Sequence, residues 1–173
     1  ITVGEYKDNG ILVSLGGKLF MNGEPYYEIS FNKFDLFYQI IAEYERDGSY
    51  PNKKFQFHAA EAAVKQLSEA GFKSIRAFVF SSQYKDLMYN EEHQKMYFEA
   101  MDRLFDLCDK YDMKVVVCMG LIEPHLLAQQ YIEGEGWILG DESVADIVAN
   151  PDGESRQNVY KYIDLFVNRY KDR

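Results

Sequence analysis

The chain has 173 residues, 47% of them apolar and 27% charged, a globular composition long enough for one domain with its own core. Its net charge of −9 argues against a nucleic-acid binder, which clusters Lys and Arg against phosphate. No run approaches the roughly 18 uninterrupted apolar residues of a membrane span, and two cysteines are too few for a disulfide framework.

In chain order, residues 11–28 read as a β-hairpin, with Asn22-Gly23 between the runs Lys18-Leu19-Phe20-Met21 and Glu24-Pro25-Tyr26-Tyr27. Asn-Gly between apolar runs supplies the two positive-φ residues of a tight turn. A first core strand is predicted over Tyr27–Phe31, followed by a long aromatic segment, 32–57. A helix then starts near His58 with Ala60, Ala63, Val64 and Leu67 on one face, and Gly71 ends it as a left-handed cap.

Residues 72–79 read as a second strand, Ile75, Ala77 and Val79 alternating with Ser74, Arg76 and Phe78. A polar loop over 80–93 leads to a helix from Gln94 to Tyr111, with Tyr97, Met101, Leu104, Phe105, Cys108 and Tyr111 at helical spacing. The third strand, 114–119, holds the run Val115-Val116-Val117-Cys118. A run without alternation predicts a parallel strand covered on both faces. Cys108 and Cys118 read as buried free thiols.

A long connection, 120–153, carries Trp137 and ends in Asn150-Pro151-Asp152-Gly153, read as a turn that starts a helix. That helix, 154–171, presents Val159, Tyr162, Ile163, Phe166, Val167 and Tyr170 on one face.

The result is three βα units, about 27–71, 72–112 and 113–173, behind an N-terminal hairpin. Strands alternating with helices call for an α/β fold with a parallel sheet. The long loops follow strands and the returns from helix to strand are tight, as in a barrel whose function sits at the strand C-termini. A closed (β/α)8 barrel takes about 250 residues, so the chain is expected to be the first part of a partial TIM barrel, a single catalytic domain that continues.

Several segments resemble family 5 glycoside hydrolases and their clan relatives. Leu19-Phe20-Met21-Asn22-Gly23-Glu24-Pro25-Tyr26-Tyr27 is similar to the opening hairpin of that family. Ile29-Ser30-Phe31-Asn32 stands where such enzymes often carry a Gly-x-Asn strand end, with Ser30 in place of the glycine. Ala70-Gly71-Phe72-Lys73-Ser74-Ile75-Arg76 resembles the family's second strand, and Asn150-Pro151 with the helix to Arg173 resembles the segment before strand four. The resemblance implies a retaining hydrolase of the mannanase or cellulase type, acting on a β-linked polysaccharide and secreted. It implies an acid/base at the end of strand four and a nucleophile at the end of strand seven. Both would fall beyond Arg173, so this chain alone is expected to be inactive.

The candidate substrate-binding residues are Arg76, Asn32, Trp137 and His125. A charge among apolar strand residues needs a partner. By the resemblance, Arg76 holds a catalytic carboxylate; the alternative is a structural ion pair at the barrel rim. Asn32 either binds sugar hydroxyls or caps a loop. Trp137 is the sole tryptophan, either stacking on a sugar ring or anchoring its loop. His125 is either a substrate contact or a surface histidine. Asp35, Asp86 and Glu123 share the loop side of the sheet but match no catalytic position of the family. No His, Cys or carboxylate set has metal-ligand spacing, and no cofactor fingerprint occurs. The expected partners are a poly- or oligosaccharide and the remainder of the barrel or a second copy of the chain. Two rival readings stand beside the hydrolase: a non-catalytic carbohydrate-binding protein and a self-associating α/β scaffold.

Overall fold

In the computed structural model the described residues are 12–42, 44, 57–79, 87, 90–119, 129–132, 136–139 and 149–173. Three strands open the chain as an antiparallel meander: β1 (Leu12–Leu15), β2 (Lys18–Met21) and β3 (Glu24–Pro25). Both turns put two consecutive residues at positive φ, Gly16-Gly17 at 58° and 76° and Asn22-Gly23 at 55° and 81°. That is the mirror-image turn whose twist matches paired strands. The expected Asn-Gly hairpin is present, and Gly16-Gly17 adds a further strand in front of it.

The first core strand is shorter than expected. β4 covers only Phe31–Asn32, because its parallel partner β5 (Ser74–Phe78) is met at Phe31↔Ile75 and Asn32↔Arg76 alone. Tyr27 and Ile29 are 82% and 80% exposed instead of packed in a sheet. The aromatic segment behind β4 holds a helix the sequence reading did not assign, α1 (Leu36–Ile41). Five of its six residues are buried, so packing rather than intrinsic propensity holds it.

Helices α2 (Phe57–Glu69) and α3 (Glu91–Lys110) end alike. After α2, Gly71 sits at φ 90°, its N–H donating to the Ser68 carbonyl at 2.9 Å, while the Phe72 N–H donates to Leu67 at 3.1 Å. After α3, Asp112 sits at φ 51°, with N–H donation to Asp109 at 3.1 Å and from Met113 to Cys108 at 2.9 Å. Both are left-handed caps with the paired Schellman bonds, which explains the tight returns. The Ser68 hydroxyl joins the two ends by donating to the Tyr111 carbonyl at 2.8 Å. At its start α3 reaches three residues further back than expected, because Asn90 Oδ1 accepts from the N–H groups of Glu92 (3.0 Å) and His93 (3.1 Å).

β6 (Lys114–Cys118) pairs in parallel with β5 from Ser74↔Lys114 to Phe78↔Cys118, giving the order β4-β5-β6. Two strands follow in the long connection, β7 (Gln129–Ile132) and β8 (Gly136–Leu139), an antiparallel hairpin also absent from the sequence reading. The Asn150–Gly153 turn starts α4 (Glu154–Tyr170): Asn150 Oδ1 accepts from the Asp152 N–H at 3.3 Å and Gly153 takes the cap position.

One core joins these elements. Leu36, Phe37, Ile40 and Ile41 of α1 join Ala60 and Val64 of α2, Ile75 and Ala77 of β5, and Val79 just after β5. The buried stripe of α3 and Val159, Tyr162 and Phe166 of α4 complete it. Outside, Asp102 of α3 receives Arg169 of α4 in a bidentate pair (3.2 and 2.5 Å) and the Tyr170 hydroxyl at 2.9 Å. Burial works to raise the Asp102 carboxyl, but these hydrogen bonds and the Arg169 charge outweigh it and hold the group below its usual range. The architecture is mixed α/β.

The covering of β6 on both faces is a correction. Val115, Val117 and Met119 pack against the core, whereas Val116 is 49% exposed. Among the described residues, the helices lie on only one face of the parallel sheet. The valine run reflects strand propensity as much as burial.

Candidate functional site

The uncovered face carries the candidate site. Parallel register places paired residues on the same face, so Asn32, Arg76 and Val116 form one row across β4, β5 and β6. Phe78 and Cys118 form the next row toward the strand C-termini. Two of the four candidate residues, Asn32 and Arg76, thus lie side by side, on strands that the helix-side alternation of Ile75, Ala77 and Val79 locks in place.

Neither carboxylate partner offered for Arg76, in later strands or at the barrel rim, is met among the described residues. The guanidinium carbon of Arg76 lies 4.8 Å from the centroid of the Phe78 ring, and it makes no ion pair among the described residues. Arg76 and Phe78 are two apart on one strand, so the pleat aims both at the same side. The ring shields one face of the guanidinium and leaves its in-plane N–H donors for a planar acceptor such as a carboxylate. Phe78 is a member of the site that the sequence reading assigned only to the alternation of the strand. The i, i+2 spacing from Arg76 is the signal that could have found it.

The chain leaving β4 is tied down beside this row. The Lys33 N–H donates to the Arg76 carbonyl at 3.0 Å. The Lys33 ammonium pairs with the Asp35 carboxylate, whose second oxygen accepts from Gln39 Nε2 at 2.6 Å. Asp35 is therefore engaged by two partners and serves the loop. Gln39 Oε1 is buried without a hydrogen-bond partner.

Behind the strand ends lies a buried hydroxyl chain. Tyr97 Oη donates to the Val79 carbonyl at 2.7 Å, and Tyr97 and Tyr162 hydroxyls are 2.6 Å apart. Tyr97 has one proton and gives it to Val79, so Tyr162 is the donor in the second bond. Burial, with Tyr162 beside it, raises the Tyr97 phenol well above its ordinary range, and burial pushes Tyr162 up to about 12. Both hydroxyls are neutral structural groups that pin α3 and α4 to the strand end.

Of the other two candidates, Trp137 is placed on a sheet separate from the row. His125 lies outside the described residues, as do Asp86 and Glu123. Trp137 lies on β8 opposite Tyr131 of β7. Cys108 and Cys118 are both free, and Cys108 is buried, which with Asp109 nearby pushes its thiol up to about 12. It is a packing residue, not a nucleophile. Among the described residues no three His, Cys, Asp or Glu side chains cluster as metal ligands, and no helix is long and apolar enough to cross a membrane.

An amide and a guanidinium side by side can hold a carboxylate or the hydroxyls of a polar ligand. They cannot by themselves transfer protons at neutral pH, since the amide does not titrate and arginine stays protonated. No protein-family model matches the chain, and comparison with curated proteins gives no match.

Proposed function

We propose that the chain is the N-terminal part of a retaining (β/α)8 glycoside hydrolase resembling family 5, acting on a β-linked polysaccharide such as mannan or cellulose. The observation that supports this most is the one-sided parallel sheet with Asn32 and Arg76 in one row of its open face. Parallel sheets are stable when both faces are covered. Further βα units closing the sheet into a barrel would turn that row inward, and the three βα units here would form one wall of the cleft.

In this reading Arg76, backed by Phe78, holds a catalytic carboxylate in its charged form and fixed in direction. Asn32 hydrogen-bonds the sugar beside the scissile bond. Hydrolysis with retention needs two carboxyl groups, one to protonate the leaving oxygen and one to attack. The family resemblance assigns both to later strands, so the isolated chain is inactive. Trp137 and His125, both in the sequence between β6 and α4, are proposed sugar contacts. A substrate of this size places the enzyme outside the cell. The test is Arg76→Lys in the natural protein. A loss of kcat of about 10²-fold on mannan or cellulose is expected, the scale of removing one preorganised donor. An unchanged kcat overturns the role of Arg76.

The exposed Val116 on β6, a strand with no second neighbour among the described residues, favours a second reading, a non-catalytic scaffold that completes its sheet with another copy. Sedimentation of the 173-residue chain separates the two: the scaffold reading requires a discrete oligomer.

A further inference from the structure

A second concave site lies away from the strand C-termini, where the meander runs into β4. Leu19, Tyr26, Tyr27, Glu28 and Ile29 line a shallow pocket of about 460 Å³. Tyr27 and Ile29 are 82% and 80% exposed, and Leu19 is 44% exposed. Large apolar side chains this exposed and this close together are uncommon on a surface unless something covers them. Between them sits Glu28, whose two carboxylate oxygens are both buried and have no hydrogen-bond partner. A carboxylate held out of water without a donor is destabilising. The site therefore combines apolar and aromatic faces with an acceptor that lacks its donors.

We propose that this pocket is a secondary carbohydrate-binding site, which takes a pyranosyl unit of a neutral polysaccharide. The inference rests on the proposed glycan-acting function and adds a second point of attachment. A pyranose presents a C–H face and an equatorial rim of hydroxyls, so it can lie on the Tyr27 ring and donate two hydroxyls to one carboxylate. Glu28 then turns its oxygens toward the sugar and gains the donors it lacks. An organic cation is the other ligand an aromatic ring and a carboxylate would suit. A shallow, open pocket favours the sugar, because a cation that stays hydrated gains little from a ring face. The strand direction separates this site from the candidate cleft: Glu28 precedes β4, Asn32 is the last residue of β4, and Arg76 is the middle residue of β5, paired with Asn32. Its role is to hold a long chain on the protein while the cleft works elsewhere on it.

The test uses the 173-residue chain with mannan and cellulose particles and with mannohexaose and cellohexaose in solution. Binding to at least one glycan is expected. Tyr27→Ala and Glu28→Gln should each weaken it by about tenfold or more, a difference of ~1.4 kcal/mol, while Tyr27→Phe keeps it. The thermal midpoint of each variant checks that the fold survives; Tyr27 is exposed enough that its replacement leaves the core untouched. No binding by the parent chain, or binding that both variants retain, overturns the proposal. Hydrolysis by the natural protein is read separately. Glycan binding at this pocket without hydrolysis refutes the enzymatic reading alone, and hydrolysis without binding here refutes this site alone.

Discussion

Replacing Tyr97 with Phe tests the packing behind the candidate site. Tyr97 and Tyr162 are each 1% exposed, so water cannot restore a hydrogen bond lost at either position. Tyr97→Phe removes the donor to the Val79 carbonyl and the acceptor for the Tyr162 hydroxyl, leaving two buried polar groups unmatched. At about 1–3 kcal/mol for each orphan, the expected loss is about 2–6 kcal/mol. Tyr162→Phe leaves the Tyr97–Val79 bond intact and is expected to cost only about 1 kcal/mol. In the double variant Val79 is the one remaining orphan, so the cost should fall short of the sum of the single costs by about 2–4 kcal/mol. Urea unfolding of the four proteins, followed by far-UV circular dichroism, measures the cycle. If Tyr162→Phe proves as costly as Tyr97→Phe, or if the two add, the donor order from Tyr162 through Tyr97 to Val79 is wrong.

The same pair makes the fold sensitive to alkali. A phenol raised on folding binds its proton longer in the native state than in the unfolded chain, so stability is intact below the ordinary 10.0 and falls as pH rises from there toward about 12. Unfolding midpoints taken between pH 9 and 12 should decline, and the decline should flatten in the doubly Phe-substituted protein. At the helix caps the two left-handed residues differ in sign. Gly71→Ala should cost about 1 kcal/mol for backbone strain alone, since no atom lies within 4 Å of the added methyl. Asp112→Gly should stabilise by up to about 1 kcal/mol. Chemical denaturation checks both, and equal shifts of one sign would contradict the cap geometry. Asn90→Ala should lower stability by about 1 kcal/mol, through loss of its two bonds to the first turn of α3; hydrogen exchange at Glu92 and His93 is the direct reading.

The sequence was most legible where a local rule and the tertiary fold agree. Asn22-Gly23 demands a tight turn, and Gly71 a left-handed cap, whatever surrounds them. The alternation around Ile75, Ala77 and Val79 gave both the strand and the side on which Arg76 stands. Elsewhere local pattern and tertiary context part. Tyr27, Ile29 and Phe31 alternate like a strand, but pairing begins only where β5 is in reach. The six residues of α1, rich in Phe, Tyr and Ile, are too few to show helical periodicity, and their helix is selected by the core they fill. β7 and β8 are separated in sequence by three residues that include Gly134, a single turn signal inside a long connection. At the candidate site, Arg76 beside Asn32 follows from register, which only the structure supplies. The Phe78 contact depends on a side-chain direction that spacing permits and does not dictate.

The most direct test of the central claim is a proton NMR time course of mannan and cello-oligosaccharide cleavage by the natural protein, reading the anomeric signal of the first product formed. The account predicts cleavage with the β-anomer released first and mutarotation afterwards. Release of the α-anomer first would contradict the retaining mechanism, and no cleavage of either glycan would contradict the hydrolase itself.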